Sequence, residues 1–93
     1  MTELASIHTT VHGYVQGVFF RAFVSEIATG LRLTGYARNL PGGDAVEVEA
    51  EGEREQLEKL VTYLTEGPPA ARIDRVVTAW QDYQGKYSDF KIR

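Results

Sequence analysis

The chain has 93 residues, 43% hydrophobic and 25% charged, with ten basic and thirteen acidic side chains, enough for one small domain with a modest core and too few for two. It contains no cysteine, which excludes a disulfide scaffold, a thiol nucleophile and any cysteine metal site. No apolar run approaches the ~18 residues of a membrane span, and Met1-Thr2-Glu3 begins without a basic or apolar leader, so a single cytoplasmic domain over residues 1–93 with no membrane partner is expected. In chain order, Ile7-His8-Thr9-Thr10-Val11-His12 alternates with Ile7, Thr9 and Val11 on one face, predicting a strand. Gly13 to Phe19 follows as a structured loop with two glycines four apart. From Phe20 the period changes: Phe20, Phe23, Val24, Ile27, Ala28 and Leu31 form one helical stripe. Gly30 weakens the last turn of that helix by up to ~1 kcal/mol relative to alanine, so early fraying is expected there.

Residues 34–40 read as a second strand, closed by the turn signal Pro41-Gly42-Gly43. Val46, Val48 and Ala50 then alternate with Glu47, Glu49 and Glu51, predicting a half-buried strand whose glutamates stand in water. Residues 53–66 carry the stripe Leu57, Leu60, Val61 and Leu64, a second helix stopped by Gly67-Pro68-Pro69. Residues 72–81 read as a fourth strand and residues 88–93 as a short last one with Phe90 and Ile92 inward. The order β-α-β-β-α-β-β predicts an α+β, ferredoxin-like fold: two helices on one face of a mainly antiparallel sheet, with an extra C-terminal strand. The first two strands, joined through a helix, should run parallel. The loop after the first and Asn39 at the end of the second then open on one edge, drawing Arg21 and Asn39 together.

Charge is unevenly spread: residues 44–71 hold eight acidic and two basic side chains, whereas residues 1–43 and 72–93 are mildly positive. No Lys/Arg cluster reaches the density of a nucleic-acid site, and the third strand offers glutamates where an RNA-binding sheet needs aromatic and basic residues. No nucleic-acid partner is expected. The helix starts differ. Glu53 and Glu55 open the second helix, as its macrodipole favours, but Arg21 opens the first with the opposite sign, a misplacement of roughly 0.3–1 kcal/mol. An anion bound there would reconcile it, held by first-turn N–H groups, loop N–H groups and a guanidinium whose planar fork matches two phosphate oxygens. Neither G-x-x-x-x-G-K-[ST] nor G-x-G-x-x-G is present, and the loop offers no nucleophile for a covalent phosphoryl intermediate. His8 and His12 share a strand face but lie some 13 Å apart, too far for one metal ion, and a structural role for them is favoured over catalysis.

Gly13-Tyr14-Val15-Gln16-Gly17-Val18-Phe19-Phe20-Arg21 resembles the acylphosphatase signature G-x-V-Q-G-V-x-F-R at every fixed position. Gly35-Tyr36-Ala37-Arg38-Asn39 is similar to the second motif of that family, and residues 72–75 and 88–93 also resemble its members. The resemblance implies a metal-independent, cofactor-free hydrolase that cleaves small-molecule acyl phosphates to a carboxylate and inorganic phosphate and acts as a monomer. It further implies that Arg21 binds phosphate, that Asn39 orients the attacking water, and that the backbone of Val15, Gln16, Gly17, Val18, Phe19 and Phe20 cradles the phosphate. A non-catalytic anion-binding or regulatory module of the same fold is the alternative. Two departures stand out: a turn between Asn39 and Val46 one residue longer than usual, and Arg32 where a helix-ending glycine is common. That helix must therefore stop near Gly30 or hold Arg32 in a strained conformation. Phe19 and Tyr14 are candidates either for contact with the acyl group or for packing.

Overall fold

The computed structural model describes residues 2–93. The elements are β1 (Leu4–Tyr14), α1 (Phe20–Gly30), β2 (Thr34–Asn39), β3 (Ala45–Glu53), α2 (Arg54–Glu66), β4 (Arg72–Gln81) and β5 (Phe90–Ile92). They build one five-stranded sheet in the order β4-β1-β3-β2-β5. β1 is antiparallel to β3 and β4, β2 is antiparallel to β3, and only the β2–β5 pair is parallel. Because β1 and β2 both oppose β3, they run in the same direction, as the helical crossover requires.

Both helices lie on one face, and their stripes meet the alternating apolar residues of the sheet. Phe20, Val24 and Ala28 of α1 and Leu57, Leu60 and Leu64 of α2 are buried with Ile7, Val11, Val46, Val48 and Ala50. Removing such a leucine to alanine characteristically costs about 2–5 kcal/mol, the scale on which this small core is held. β4 is an edge strand and keeps only part of each side chain from solvent. In the middle of the sheet the backbones approach closely. A Cβ at Gly35 (φ 147°) would collide with the Glu49 carbonyl oxygen of β3, so the first residue of the G-Y-A-R-N motif serves the sheet. Among the described residues, no helix is long and apolar enough to cross a membrane.

α1 is helical through Gly30. The Leu33 N–H reaches the Ala28 carbonyl (2.9 Å) and the Arg32 N–H the Thr29 carbonyl (3.0 Å), the crossed pair of a Schellman ending, with Arg32 left-handed at φ 59°. Both alternatives read from the sequence hold at once: the helix stops at Gly30, and Arg32 carries the strain that glycine would avoid. The longer β2–β3 turn keeps its hairpin, with the Leu40 N–H on the Ala45 carbonyl (3.0 Å) and Asn39 facing Val46 in register.

The glutamates of β3 depart from expectation. Glu47, Glu49 and Glu51 occupy the face opposite the helices, but they do not stand in water. Glu51 is 1% exposed and accepts the main-chain N–H groups of Gln84 and Lys86, each at 3.0 Å. Glu49 accepts the hydroxyls of Tyr87 (2.9 Å) and Tyr36 (3.2 Å), and Glu47 accepts from Tyr36 (3.0 Å), Arg38 and His8 (2.7 Å). The segment between β4 and β5 folds back over this face and covers it. Alternation identifies which face a residue takes, not whether a later segment roofs that face.

Candidate active site

A cleft of about 260 Å³ opens where α1 begins, lined by Val15, Gly17, Phe19, Phe20, Arg21, Ala22, Asn39 and Ile92. Three elements converge on it. β1 delivers the chain into the loop, the N-terminus of α1 carries Arg21, and the last residue of β2 contributes Asn39. Asn39 reaches the helix-covered face because it pairs with Val46, and its strand neighbours Ala37 and Gly35 face the same way.

The loop backbone alternates in handedness. Gly17 has φ 76° and Phe19 φ 60°, while Val18 between them is not in the positive region. Such alternation turns successive N–H groups toward one side and builds an anion-binding concavity. Among the described residues, no main-chain N–H from residue 15 to residue 22 donates to a main-chain carbonyl. Phe19 is the N-cap of α1 and supplies no side-chain cap, and the first turn holds no acidic residue. The helix therefore presents its orphan donors uncompensated.

Arg21 is partly buried, and its guanidinium donates to the main-chain carbonyl of Arg93 (2.7 Å), across 72 positions of sequence. That bond leaves four further guanidinium N–H groups for other acceptors. The Asn39 Oδ1 is buried and has no hydrogen-bond partner; among the described residues only Gln56 Oε1 shares that condition, and it lies outside the cleft. No carboxylate, imidazole or thiol lines the cleft, and no group of three or more His, Cys, Asp or Glu residues is arranged to hold a metal among the described residues.

The sequence model of acylphosphatases matches residues 7–92, nearly the whole chain and both motifs. The chain belongs to the acylphosphatase family. An acylphosphatase of Pelotomaculum thermopropionicum is 48% identical over 88 residues, covering 95% of this chain and 95% of that one. The solved acylphosphatase from Coxiella burnetii is 45% identical, with a TM-score of 0.90 over 98% of this chain and 94% of its own. That from Bacillus subtilis is 29% identical, with a TM-score of 0.91 over 96% and 98%.

In this member of the family, Arg21 and Asn39, 18 positions apart, line one cleft together with Val15, Gly17, Phe19 and Phe20 of the signature loop. Gln16 and Val18 belong to the loop but not to the cleft lining. The Gln16 Nε2 donates to the carbonyls of Leu40 (2.8 Å) and Ala45 (2.9 Å), clamping the loop to both ends of the β2–β3 turn. His8 is engaged with Glu47, and His12 accepts from the Arg75 guanidinium (3.3 Å); neither lines the cleft. Tyr14 is 59% exposed and also lies outside it. Ala22, Ile92 and the Arg93 carbonyl were not identified from the sequence. Ile92 was expected to point inward beside Phe90, but it is 49% exposed at the cleft edge. The only signal for that end was the likeness of residues 88–93 to the family, which names no partner for Arg21.

Proposed function

We propose that the Arg21 guanidinium and the main-chain N–H groups of Val15 to Phe20 hold the phosphoryl group of an acyl phosphate, and that Asn39 orients a water molecule for attack on phosphorus. The reaction is that of the family, hydrolysis of the carboxyl–phosphate bond. The observation that carries the assignment is the buried, unpartnered Asn39 Oδ1 in the same cleft as Arg21. A buried acceptor without a partner is costly, and a water placed beside it satisfies both.

The water oxygen forms the new bond to phosphorus, and the bond from phosphorus to the acyl oxygen breaks. The electron pair leaves with the carboxylate, and the water proton passes to the phosphate. The leaving group has a conjugate acid of pKa about 4, so no general acid is needed. The barrier lies in the charge of the phosphoryl group, and phosphoryl transfer is mainly positioning and electrostatics. Each preorganised donor supplies about 2–4 kcal/mol on that account. A carboxylate base would repel the phosphate dianion, whereas a neutral amide holds water without that penalty.

Metal independence belongs to the same proposal, supported by a lining with one guanidinium and one amide and no hard anionic ligand. Action as a cytoplasmic monomer, with residues 1–93 as one unit, completes it. The experiment is phosphate release from benzoyl phosphate in EDTA, repeated with Asn39→Ala. Turnover survives the chelator, and Asn39→Ala lowers kcat by roughly a hundredfold while inorganic phosphate still competes. Near-normal kcat in Asn39→Ala overturns the water-orienting role, and a non-catalytic anion module would release no phosphate at all.

A further inference from the structure

The cleft lining divides by chemistry. Arg21 is its single charged residue among the described residues, and Asn39 is its single amide. The lining also holds two large apolar side chains that contribute little to the core. Phe19 is 86% exposed, the highest value among the exposed large hydrophobic residues, and Ile92 is 49% exposed. The Phe19 ring makes no aromatic pair; the pairs among the described residues are Phe20 with Phe23 and Tyr36 with Tyr87. Packing therefore does not account for it. Its backbone is left-handed at φ 60°, a conformation rare for a residue with a Cβ, and the residue lines the cleft while remaining almost wholly exposed. Of the exposed large hydrophobic residues among the described residues, only Phe19 and Ile92 line the cleft.

We infer that Phe19 and Ile92 form an apolar wall that receives the acyl group, so that the preferred substrates are acyl phosphates with an uncharged, apolar and especially aromatic acyl part. This rests on the reading that Arg21 and the loop take the phosphoryl group, because that orientation leaves the acyl part facing the mouth. An acyl group bearing a second anion would meet no second cation. Arg93 is the neighbouring candidate, but its guanidinium lies 4.1 Å over the Tyr36 ring, on the opposite face of the sheet. An aromatic acyl group would gain contact with the Phe19 ring and the Ile92 side chain, whereas an acetyl group is too short to use both.

The test compares kcat/KM for benzoyl and acetyl phosphate in the unsubstituted protein, Phe19→Ala and Ile92→Ala. Alanine keeps a Cβ at position 19, so the loop conformation meets the same restriction as before. The benzoyl-to-acetyl ratio favours benzoyl phosphate in the unsubstituted protein and falls about fivefold in Phe19→Ala and about two- to threefold in Ile92→Ala. A ratio unchanged in both variants overturns the wall. Succinyl phosphate is turned over no better than acetyl phosphate, and a higher kcat/KM for it also overturns the inference. Competition by inorganic phosphate against the unsubstituted protein reads the cradle alone. Its failure would strike the phosphate reading, whereas an unchanged ratio strikes only the wall.

Discussion

Arg38 and Asn39 are consecutive in β2, yet the pleat sends them to opposite faces, and the two faces treat polar groups in opposite ways. On the open face Arg38 pairs with Glu47, which also accepts from His8 and Tyr36, and every glutamate of β3 from Glu47 to Glu51 has at least two partners. On the helix face Asn39 enters the cleft with its Oδ1 unsatisfied, beside loop and helix N–H groups that no main-chain carbonyl accepts. Charged side chains are denser on the first face, but each of its glutamates is already engaged in holding the fold. The cleft has fewer charges and leaves donors and an acceptor available. Unsatisfied capacity, rather than charge density, marks where a ligand belongs.

The largest effect expected from breaking this contrast comes from Arg21→Ala. It removes the one cation of the cleft, and benzoyl phosphate hydrolysis falls by about a thousandfold or more, with competition by inorganic phosphate lost as well. Stability changes by less than about 1 kcal/mol, because losing the bond to the Arg93 carbonyl is offset by removing a cation from a helix N-terminus. Urea unfolding alongside the assay separates the two. A stability loss of several kcal/mol would place Arg21 with the satisfied groups instead.

Glu51→Gln tests the opposite face. The substitution keeps shape and burial but replaces one acceptor oxygen by an NH₂ that faces a main-chain N–H of the 82–89 segment. One hydrogen bond is lost and a buried donor is left facing another donor, so unfolding becomes easier by about 2–3 kcal/mol. A change below about 1 kcal/mol in a urea melt would show that the segment is held instead by the Tyr87 hydroxyl and the Lys86 ammonium on Glu49 and by the Asp89 carbonyl on the Gly35 N–H.

Glu47 gives the same face a pH signature. Burial alone would raise its pKa, but hydrogen bonds from His8, Arg38 and Tyr36 and the Arg38 charge outweigh it and bring the carboxyl down to about 2. The same contacts and burial push the Tyr36 hydroxyl well above its ordinary range, and burial with the Glu49 hydrogen bond takes Tyr87 to about 12. Between the ordinary glutamate value and about 2, the unfolded chain binds a proton that the folded chain does not. The stabilisation is complete above about pH 4.5 and is lost as pH falls to about 2, on the order of 3 kcal/mol. Glu47→Gln should flatten that stretch of the stability–pH curve; an unchanged slope would remove Glu47 as its source.

How much of this contrast was legible in the sequence depends on range. Local periodicity located every element, and the stripe Phe20, Val24 and Ala28 is buried as its spacing requires. The sign of Arg21 against the helix dipole pointed to an anion, and the two motifs brought Asn39 to it. Glu49 and Glu51 were misread because part or all of their cover comes from residues more than thirty positions later, and Glu47 because its partners lie on the neighbouring strands β1 and β2. The Gln16 clamp and the Arg93 carbonyl are bonds from side chain to main chain across 24 to 72 positions, and such bonds leave no period behind. Ile92 alternates like a core residue, but β5 is the edge strand beside the start of α1, and there the side chain borders the open cleft.

The smallest effect sharpens the contrast most finely, because it concerns two residues under the same strain. Among the described residues, Phe19 and Arg32 are the two non-glycine residues with positive φ, one at each end of α1. Phe19 faces the cleft, whereas Arg32 is exposed at the far end and has no hydrogen bond or ion pair from its side chain among the described residues. A left-handed residue with a Cβ costs about 1–2 kcal/mol, and a glycine gives back about 0.5–1 kcal/mol through the freedom it adds to the unfolded chain. Arg32→Gly should therefore stabilise the protein by about 0.5–1 kcal/mol, roughly 2–8 °C in Tm for a domain of this size. Its kcat/KM for benzoyl phosphate should stay at the unsubstituted value, since nothing it touches reaches the cleft. A thermal melt and one assay decide the matter. If relieving Arg32 lowered kcat/KM, the strain at the far end would be coupled to the cleft through α1, and the division between satisfied scaffold and unsatisfied site would have to include the whole helix.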